Sequence, residues 1–348
     1  MNVKIGSRTI GDGQRCFIIA EAGVNHNGDI ELAKQLIIKA KEAGADCVKF
    51  QTFKAERVVT SNAPKANYQL ETTDALETQI DMLRQLELPM DNYRELIELC
   101  EELNIIFMST PYNVEDVDFL EEIGVQSFKL ASLSIAEPTF LQYVALKNKP
   151  MIISTGMATL NEVREGIVAT KECGNNDLII LQCTTNYPTA LDDVNLRAMI
   201  TMREEFEHLV GYSDHTQSDI ACLAAVSMGA CVIEKHFTLD KSLPGPDQSS
   251  SYEPIEFKRL VQSIRDVETV LGCEEKKPSK AEVRNIKGMR RSVVAKIDIL
   301  AGTKIDDSML TLKRPATGLS PKYVKDLIGK IARRDLCENV FIIKEDVE

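Results

Sequence analysis

Short apolar runs of four or five residues alternate along most of this chain with longer stretches whose apolar positions recur every three or four residues. The first run, Cys16-Phe17-Ile18-Ile19-Ala20, leads into a polar loop from Glu21 to Gly28. An amphipathic segment follows from about Ile30 to Ala43, where Leu32, Leu36, Ile37 and Ala40 repeat at helical spacing and Gly44 supplies a stop. The next run is Asp46 to Phe50, then a long loop through Asn67. Further runs cover Ile105 to Ser109, Ser127 to Ala131, Met151 to Ser154, Leu178 to Gln182, His208 to Tyr212 and Cys231 to Lys235. Helical patterns near 75–87, 91–103, 115–123, 137–145, 159–171, 193–205, 216–229 and 254–271 fill the gaps.

Eight strand–helix units in order predict an α/β fold, a (β/α)8 TIM barrel. Continuous apolar runs suit parallel strands covered on both faces. A doubly wound open sheet uses the same alternation and is the second choice. The barrel is preferred because polar groups recur just after many different strands, as one central site requires. After Cys273 the texture changes. Charged residues around Pro278 read as a linker, and short runs at Ser292–Ala295, Met309–Leu312 and Val340–Ile343 predict a small β-rich C-terminal domain. The expected division is 1–273 barrel, 274–288 linker and 289–348 small domain, the last with a core modest enough to need a docking partner.

Composition narrows the function. Acids outnumber bases 53 to 41, for a formal net charge of -12, which argues against broad binding to nucleic acid or to an anionic membrane. No apolar run is long enough to span a bilayer, and Met1 to Arg15 has no signal-peptide hydrophobic region. Nine scattered cysteines, with no CxxC pair, read as buried small hydrophobes in a reducing compartment, so the expected location is cytoplasmic.

The candidate chemistry sits at the strand ends. Glu21 follows the first strand; Lys49 and Gln51 flank the end of the second; Thr110 and Tyr112 follow the third; Lys129 and Ser132 lie at the fourth. Ser154 and Thr155 end the fifth, Thr184 to Tyr187 follow the sixth, Ser213 to His215 the seventh, and Glu234 and His236 close the eighth. Two of the chain's four histidines, His215 and His236, thus fall at adjacent strand ends. With Glu21 they could bind a divalent cation such as Mn, Fe or Zn, leaving positions for substrate or water; the plainer alternative is histidines bonded to loop carbonyls. Lys49 and Lys129 point to an anionic substrate, the hydroxyls of Thr110, Ser132, Ser154 and Ser213 to sharing its phosphate or carboxylate oxygens. A lysine here could instead form a Schiff base, or simply pair with an acid. There is no Walker A or GxGxxG motif, which weakens kinase and dinucleotide readings. Pro244-Gly245-Pro246-Asp247 is a rigid turn that either lies on the surface or walls the site.

Together these stretches resemble the sialic acid synthase family, which includes legionaminate and pseudaminate synthases. The matching segments are Ile19-Ala20-Glu21-Ala22-Gly23-Val24-Asn25-His26-Asn27-Gly28, Val48-Lys49-Phe50-Gln51-Thr52, Ser109-Thr110-Pro111, Ile153-Ser154-Thr155-Gly156-Met157, Gly211-Tyr212-Ser213-Asp214-His215-Thr216, Glu234-Lys235-His236-Phe237-Thr238 and the Pro244 to Asp247 turn. The resemblance spans essentially the whole chain. It implies a barrel followed by an antifreeze-like, or SAF, domain, in a domain-swapped homodimer where Arg314 reaches the partner's site and meets the sugar N-acyl group. It implies condensation of phosphoenolpyruvate with N-acetylmannosamine, or a related N-acylated hexosamine, and water, giving N-acetylneuraminate and phosphate. His215 and His236 would be ligands of Mn2+, with Mg2+ or Co2+ as alternatives. Lys49, Thr110, Lys129, Ser132, Ser154 and Ser213 would hold phosphoenolpyruvate. Gln51, Tyr187 and Asp247 would meet the sugar, and Glu21 would handle protons near the metal.

One departure bears on the sugar. Many relatives carry an acid two residues after the serine that corresponds to Ser132; here the segment reads Ser132-Leu133-Ser134. Thr185 likewise stands where some relatives have asparagine among the sugar contacts. Legionaminate and pseudaminate synthases are therefore the nearest alternatives. More remote are a Schiff-base pyruvate aldolase and a noncatalytic carbohydrate-binding protein.

Overall fold

A computed structural model describes residues 1–74 and 76–348, the side chains of residues 67, 68 and 71 excepted. The chain forms two compact units, Met1–Gly272 and Cys273–Glu348. In the first, β1 (Asn2–Ile5) and β2 (Arg8–Gly11) make an antiparallel hairpin. Eight parallel strands follow: β3 (Phe17–Gly23), β4 (Cys47–Thr52), β5 (Ile106–Pro111), β6 (Phe128–Leu130), β7 (Met151–Ser154), β8 (Leu178–Cys183), β9 (Leu209–Asp214) and β10 (Val232–His236). Their order is β5-β4-β3-β10-β9-β8-β7-β6. The three-residue β6 packs beside β5 without a hydrogen-bonded ladder among the described residues, so the (β/α)8 barrel is nearly closed.

All eight strands coincide with the expected runs to within a few residues. The helices do too, and local chemistry explains their ends. Asp29 caps Ile30–Ala43 by accepting from two backbone N–H groups, and Gly44 ends it at φ 90°. Thr159 and Glu162 form a capping box for Leu160–Glu172. The helix expected from 75 runs Gln79–Gln85, and position 75 itself lies outside the described residues. Sequence reading passed over the β1–β2 hairpin, whose Val3, Ile5 and Ile10 join the apolar cluster inside the barrel.

That inner cluster decides where the site can be. Side chains alternate across each strand. The inward set begins apolar at the N-terminal ends, with Phe17, Ile19, Cys47, Met108, Ile152, Ile179, Leu209 and Val232. Two residues further along the same faces come Glu21, Lys49, Thr110, Ser154 and Glu234, which are also buried. The outward set, including Ile18, Val48, Phe50, Leu130, Ile153, Ile180 and Ile233, packs under the helices.

An ion pair interrupts this outward layer. Lys235 Nζ lies 2.6 Å from Asp214 Oδ2, bonds the Thr216 carbonyl and sits 4.2 Å from the Tyr252 ring centroid. Asp214 also accepts from the Tyr212 hydroxyl at 2.9 Å and the Thr216 N–H at 2.9 Å. The pair is almost fully buried and joins β9 to β10 one residue before each candidate ligand histidine.

In the second unit, β11 (Ser292–Ala295) pairs antiparallel with β12 (Leu310–Lys313) over a core that includes Val293, Ile305, Leu336 and Ile342. The segment read as a linker contains a helix, Lys280–Met289. A capping box of Ser279 and Glu282 starts it, a local signal outweighed in the sequence by the charges and Pro278. Among the described residues, no helix is long and apolar enough to cross a membrane.

Replacing Lys235 by alanine leaves the Asp214 carboxylate buried without its cation. A loss of about 3–5 kcal/mol is expected, read as a lower urea midpoint; an unchanged midpoint would show that the pair contributes nothing to stability.

Candidate active site

The inward residues at the C-terminal strand ends converge on a cavity of about 550 Å3. Its floor is a cluster of four charges. Lys49 Nζ lies 2.8 Å from Glu21 Oε2 and 3.7 Å from Glu234 Oε1, and donates to Thr110 Oγ1 at 3.1 Å. Lys129 Nζ lies 3.4 Å from the same Glu234 oxygen and donates to Ser154 Oγ at 2.8 Å. Ser213 donates to Glu234 at 3.1 Å. Glu234 thus stands between the two lysines. It was visible in the sequence only as a strand-end acid, because its importance comes from neighbours on other strands.

Burial and charge set the protonation of this floor. Burial lifts the Glu21 carboxyl to about 7, with Lys49 pulling it down and Glu234 pushing it up. Burial also lowers Lys129, opposed by Glu234. For Lys49 the two flanking carboxylates overcome burial and raise it. Gln51 links this floor to the wall: its amide donates to Glu21 Oε1 at 3.2 Å and accepts from the Tyr112 hydroxyl at 2.9 Å.

The two histidines lie together, with ring centroids 5.3 Å apart. Tyr187 packs against both, 4.1 Å from His215 and 5.4 Å from His236. His215 Nδ1 is 2.7 Å from the Thr184 carbonyl, which can only accept, so Nδ1 carries a proton and Nε2 is the nitrogen open to a cation; burial pulls the ring down, but Cys183 and this bond raise it above the usual histidine value. His236 is held neutral by burial and by the nearby cationic groups, and its buried Nδ1 has no hydrogen-bond partner among the described residues. Asp247 Oδ2 lies 3.9 Å from that nitrogen, and burial raises its carboxyl to about 6. Two adjacent imidazoles, one of them with an unsatisfied buried ring nitrogen, fit a divalent cation, which binds in place of a proton. Among the described residues no three His, Cys, Asp or Glu side chains converge to cage one by themselves.

The cavity lining also includes Ser132, Thr185 and Tyr187. Ser132 Oγ accepts from the Gly156 N–H at 3.0 Å, and a Cβ on Gly156 would stand 2.2 Å from Thr185 Oγ1, so only glycine fits there. Ser134, expected at the sugar end, is turned into the protein and only 1% exposed, whereas Leu133 faces the cavity. Met157 lines it too, 72% exposed and held at φ 66°, a conformation costly for a side chain of this kind. Neither apolar residue was singled out from the sequence. Arg314 lies in the second unit, exposed just after β12.

The NeuB family model matches residues 36–276 and the SAF domain model matches residues 290–348. A Legionella pneumophila protein named N,N'-diacetyllegionaminic acid synthase is 47% identical, over 99% of this chain and 98% of its own. A Campylobacter jejuni protein of the same name is 46% identical, over 94% of this chain and 99% of its own. A solved structure of N-acetylneuraminic acid (sialic acid) synthetase from Leptospira borgpetersenii, in complex with citrate, aligns with TM-score 0.74 at 32% identity, over 82% of this chain and 95% of its own.

The raised Glu21 carboxyl has a consequence for stability. The folded protein keeps a proton that the unfolded chain releases near the ordinary 4.5. The stabilisation from that proton is complete below the unfolded value and lost as pH rises through about 7. Denaturant titrations of metal-free protein should therefore show wild type losing stability relative to Glu21→Gln across this interval. A difference independent of pH would contradict the assignment.

Proposed function

This chain belongs to the NeuB family and carries a C-terminal SAF domain, and on that premise we propose that it makes N,N'-diacetyllegionaminate from phosphoenolpyruvate and a diacetamido-trideoxy-mannose. The enzyme class is that of the family: a phosphoenolpyruvate-dependent synthase that forms a carbon–carbon bond and yields a nonulosonic acid. The observation that carries the choice of sugar is the 47% identity, over almost the full length of both chains, to a legionaminic acid synthase, against 32% for the sialic acid synthetase structure. N-acetylneuraminate, the product first expected from the sequence, accordingly becomes the second reading. The cavity mouth supports this order. Leu133 and Met157 offer apolar surface, and the acid of many relatives is replaced by the inward-turned Ser134. A trideoxy sugar presents a methyl group where mannosamine derivatives present a hydroxymethyl, and burying a hydroxyl against such surface without a partner is costly.

In this reading Lys49 and Lys129 offset the phosphate and carboxylate charge of phosphoenolpyruvate, and Thr110, Ser132, Ser154 and Ser213 bond its oxygens. Gln51, Thr185, Tyr187 and Asp247 meet the sugar. His215 and His236 would hold the divalent cation that the family's chemistry requires, Mn2+ being the choice, with Mg2+ or Co2+ as substitutes. When bound, it supplies Lewis acidity at the sugar's carbonyl oxygen. The methylene carbon of phosphoenolpyruvate bonds to the aldehyde carbon, whose oxygen gains a proton. Water adds to the former enol carbon and gives up a proton, and phosphate leaves by carbon–oxygen cleavage. Glu21, poised near 7, suits both proton movements.

Phosphate release should require phosphoenolpyruvate, divalent cation and sugar together, and stop on chelation. With Mn2+, kcat/KM for the diacetamido-trideoxy-mannose should exceed that for N-acetylmannosamine by roughly tenfold or more. The reverse preference would restore N-acetylneuraminate, and an altrose preference would favour pseudaminate. A borohydride-trapped lysine adduct without phosphate release would replace the whole scheme by an aldolase.

The same reading places Arg314 of one protomer over the partner's barrel in a domain-swapped homodimer. Arg314→Ala and Glu21→Ala chains, each inactive, should regain activity when mixed. No recovery in confirmed mixed dimers would count against the swap.

A further inference from the structure

Two loops that carry the family's motifs have no role in the chemistry above beyond Asp247 itself: Asn25 to Gly28 after β3, and Pro244 to Ser251 after β10. They are bonded to each other. Asn25 Nδ2 donates to the Phe237 carbonyl at 2.9 Å and to Ser251 Oγ at 2.9 Å. Ser251 Oγ in turn donates to the Asp247 carbonyl at 2.6 Å. Gln248 Nε2 donates back to the Asn25 carbonyl at 3.0 Å, and Asn27 Nδ2 donates to the Pro244 carbonyl at 2.8 Å. The Phe237 and Pro244 carbonyls can only accept, which fixes the orientation of both asparagine amides.

The positions are demanding. Asn25, Gln248 and Ser251 are nearly fully buried. Asn27 adopts φ 50°, where asparagine is tolerated better than most residues, and a Cβ on Gly245 would stand 3.0 Å from Asn27 Oδ1. From Thr238 to Ser251 the chain has no strand, only a short turn at Gln248–Ser250; its far end is tied to β10 by an isolated bridge, Tyr252 N–H donating to the His236 carbonyl at 2.8 Å. The bridge anchors the base of the loop, and within it Asp247, five residues before Tyr252, is held near His236 by side-chain bonds.

We infer that Asn25 and Asn27 are positioning residues: they clasp the loop after β10 and so hold Asp247 where the sugar binds. The inference rests on the reading of Asp247 as a sugar contact. Both asparagines stand on the loop that follows Glu21, so the clasp couples the proton-handling strand end to the sugar wall. Phosphoenolpyruvate, held by β4 to β9, lies outside its reach.

Steady-state kinetics of the full-length, metal-loaded enzyme test this. Asn27→Gly keeps the backbone conformation and removes the bond to Pro244; the sugar KM should rise about threefold with the phosphoenolpyruvate KM unchanged. Asn25→Ala should raise the sugar KM about tenfold or more. Hydrogen exchange of amides 239–251 should accelerate in both variants. If Asn25→Ala does not fold, Asn27→Gly decides alone. Equal rises in both KM values, or unchanged exchange with an unchanged sugar KM, would overturn the clasp. Failure of every sugar to turn over would count against the proposed reaction instead, and exchange in Asn27→Gly would still decide the clasp.

Discussion

Two lysines and two carboxylates share the floor of the barrel mouth, and the rest of the site is arranged around that cost. Lys49, Lys129, Glu21 and Glu234 are each no more than 4% exposed. Taking such groups out of water costs several kcal/mol each, and mutual attraction repays it only when geometry is good. The barrel supplies the geometry. Adjacent strands β3 and β4 present Glu21 and Lys49 side by side, and Glu234 on β10 reaches both lysines. A cluster of this kind is poor stabilising material compared with an apolar core. In the proposed reading it is a preformed receptor: when Glu21 takes up a proton, one carboxylate faces two ammonium groups, and the surplus of positive charge suits an anion such as phosphoenolpyruvate.

The layers around this floor follow from one period. Because strand side chains alternate, the residues that fill the barrel bottom and those that make the site belong to the same faces, two positions apart. Met108 and Thr110, Ile152 and Ser154, and Val232 and Glu234 are such pairs. The apolar member anchors the strand, and the polar member next along is carried to the mouth at a fixed height. The intervening outward positions pack under helices, except where Asp214 and Lys235 form their own buried pair beside the two histidines. The mouth combines a charged floor, an imidazole pair at one side and an apolar rim at Leu133 and Met157. In the proposed reading the charged floor takes phosphoenolpyruvate and the apolar rim faces the deoxygenated end of the sugar.

What the sequence by itself determined was considerable. Hydrophobic periodicity located eight strands and most helices, since each β/α unit buries its own faces and its pattern is local. Polar residues at the ends of the apolar runs marked Glu21, Lys49, Lys129, His215 and His236 as neighbours. The tertiary structure alone decided what those residues touch. Glu234 became the partner of both lysines, Ser134 turned inward while Leu133 faced the cavity, and Met157 was fixed at a left-handed φ. The Asn25 and Asn27 amides found carbonyls more than two hundred residues away. Alternation tells which face a side chain occupies, but distance, burial and charge balance are set by which strands close against one another, and that is a property of the assembled barrel.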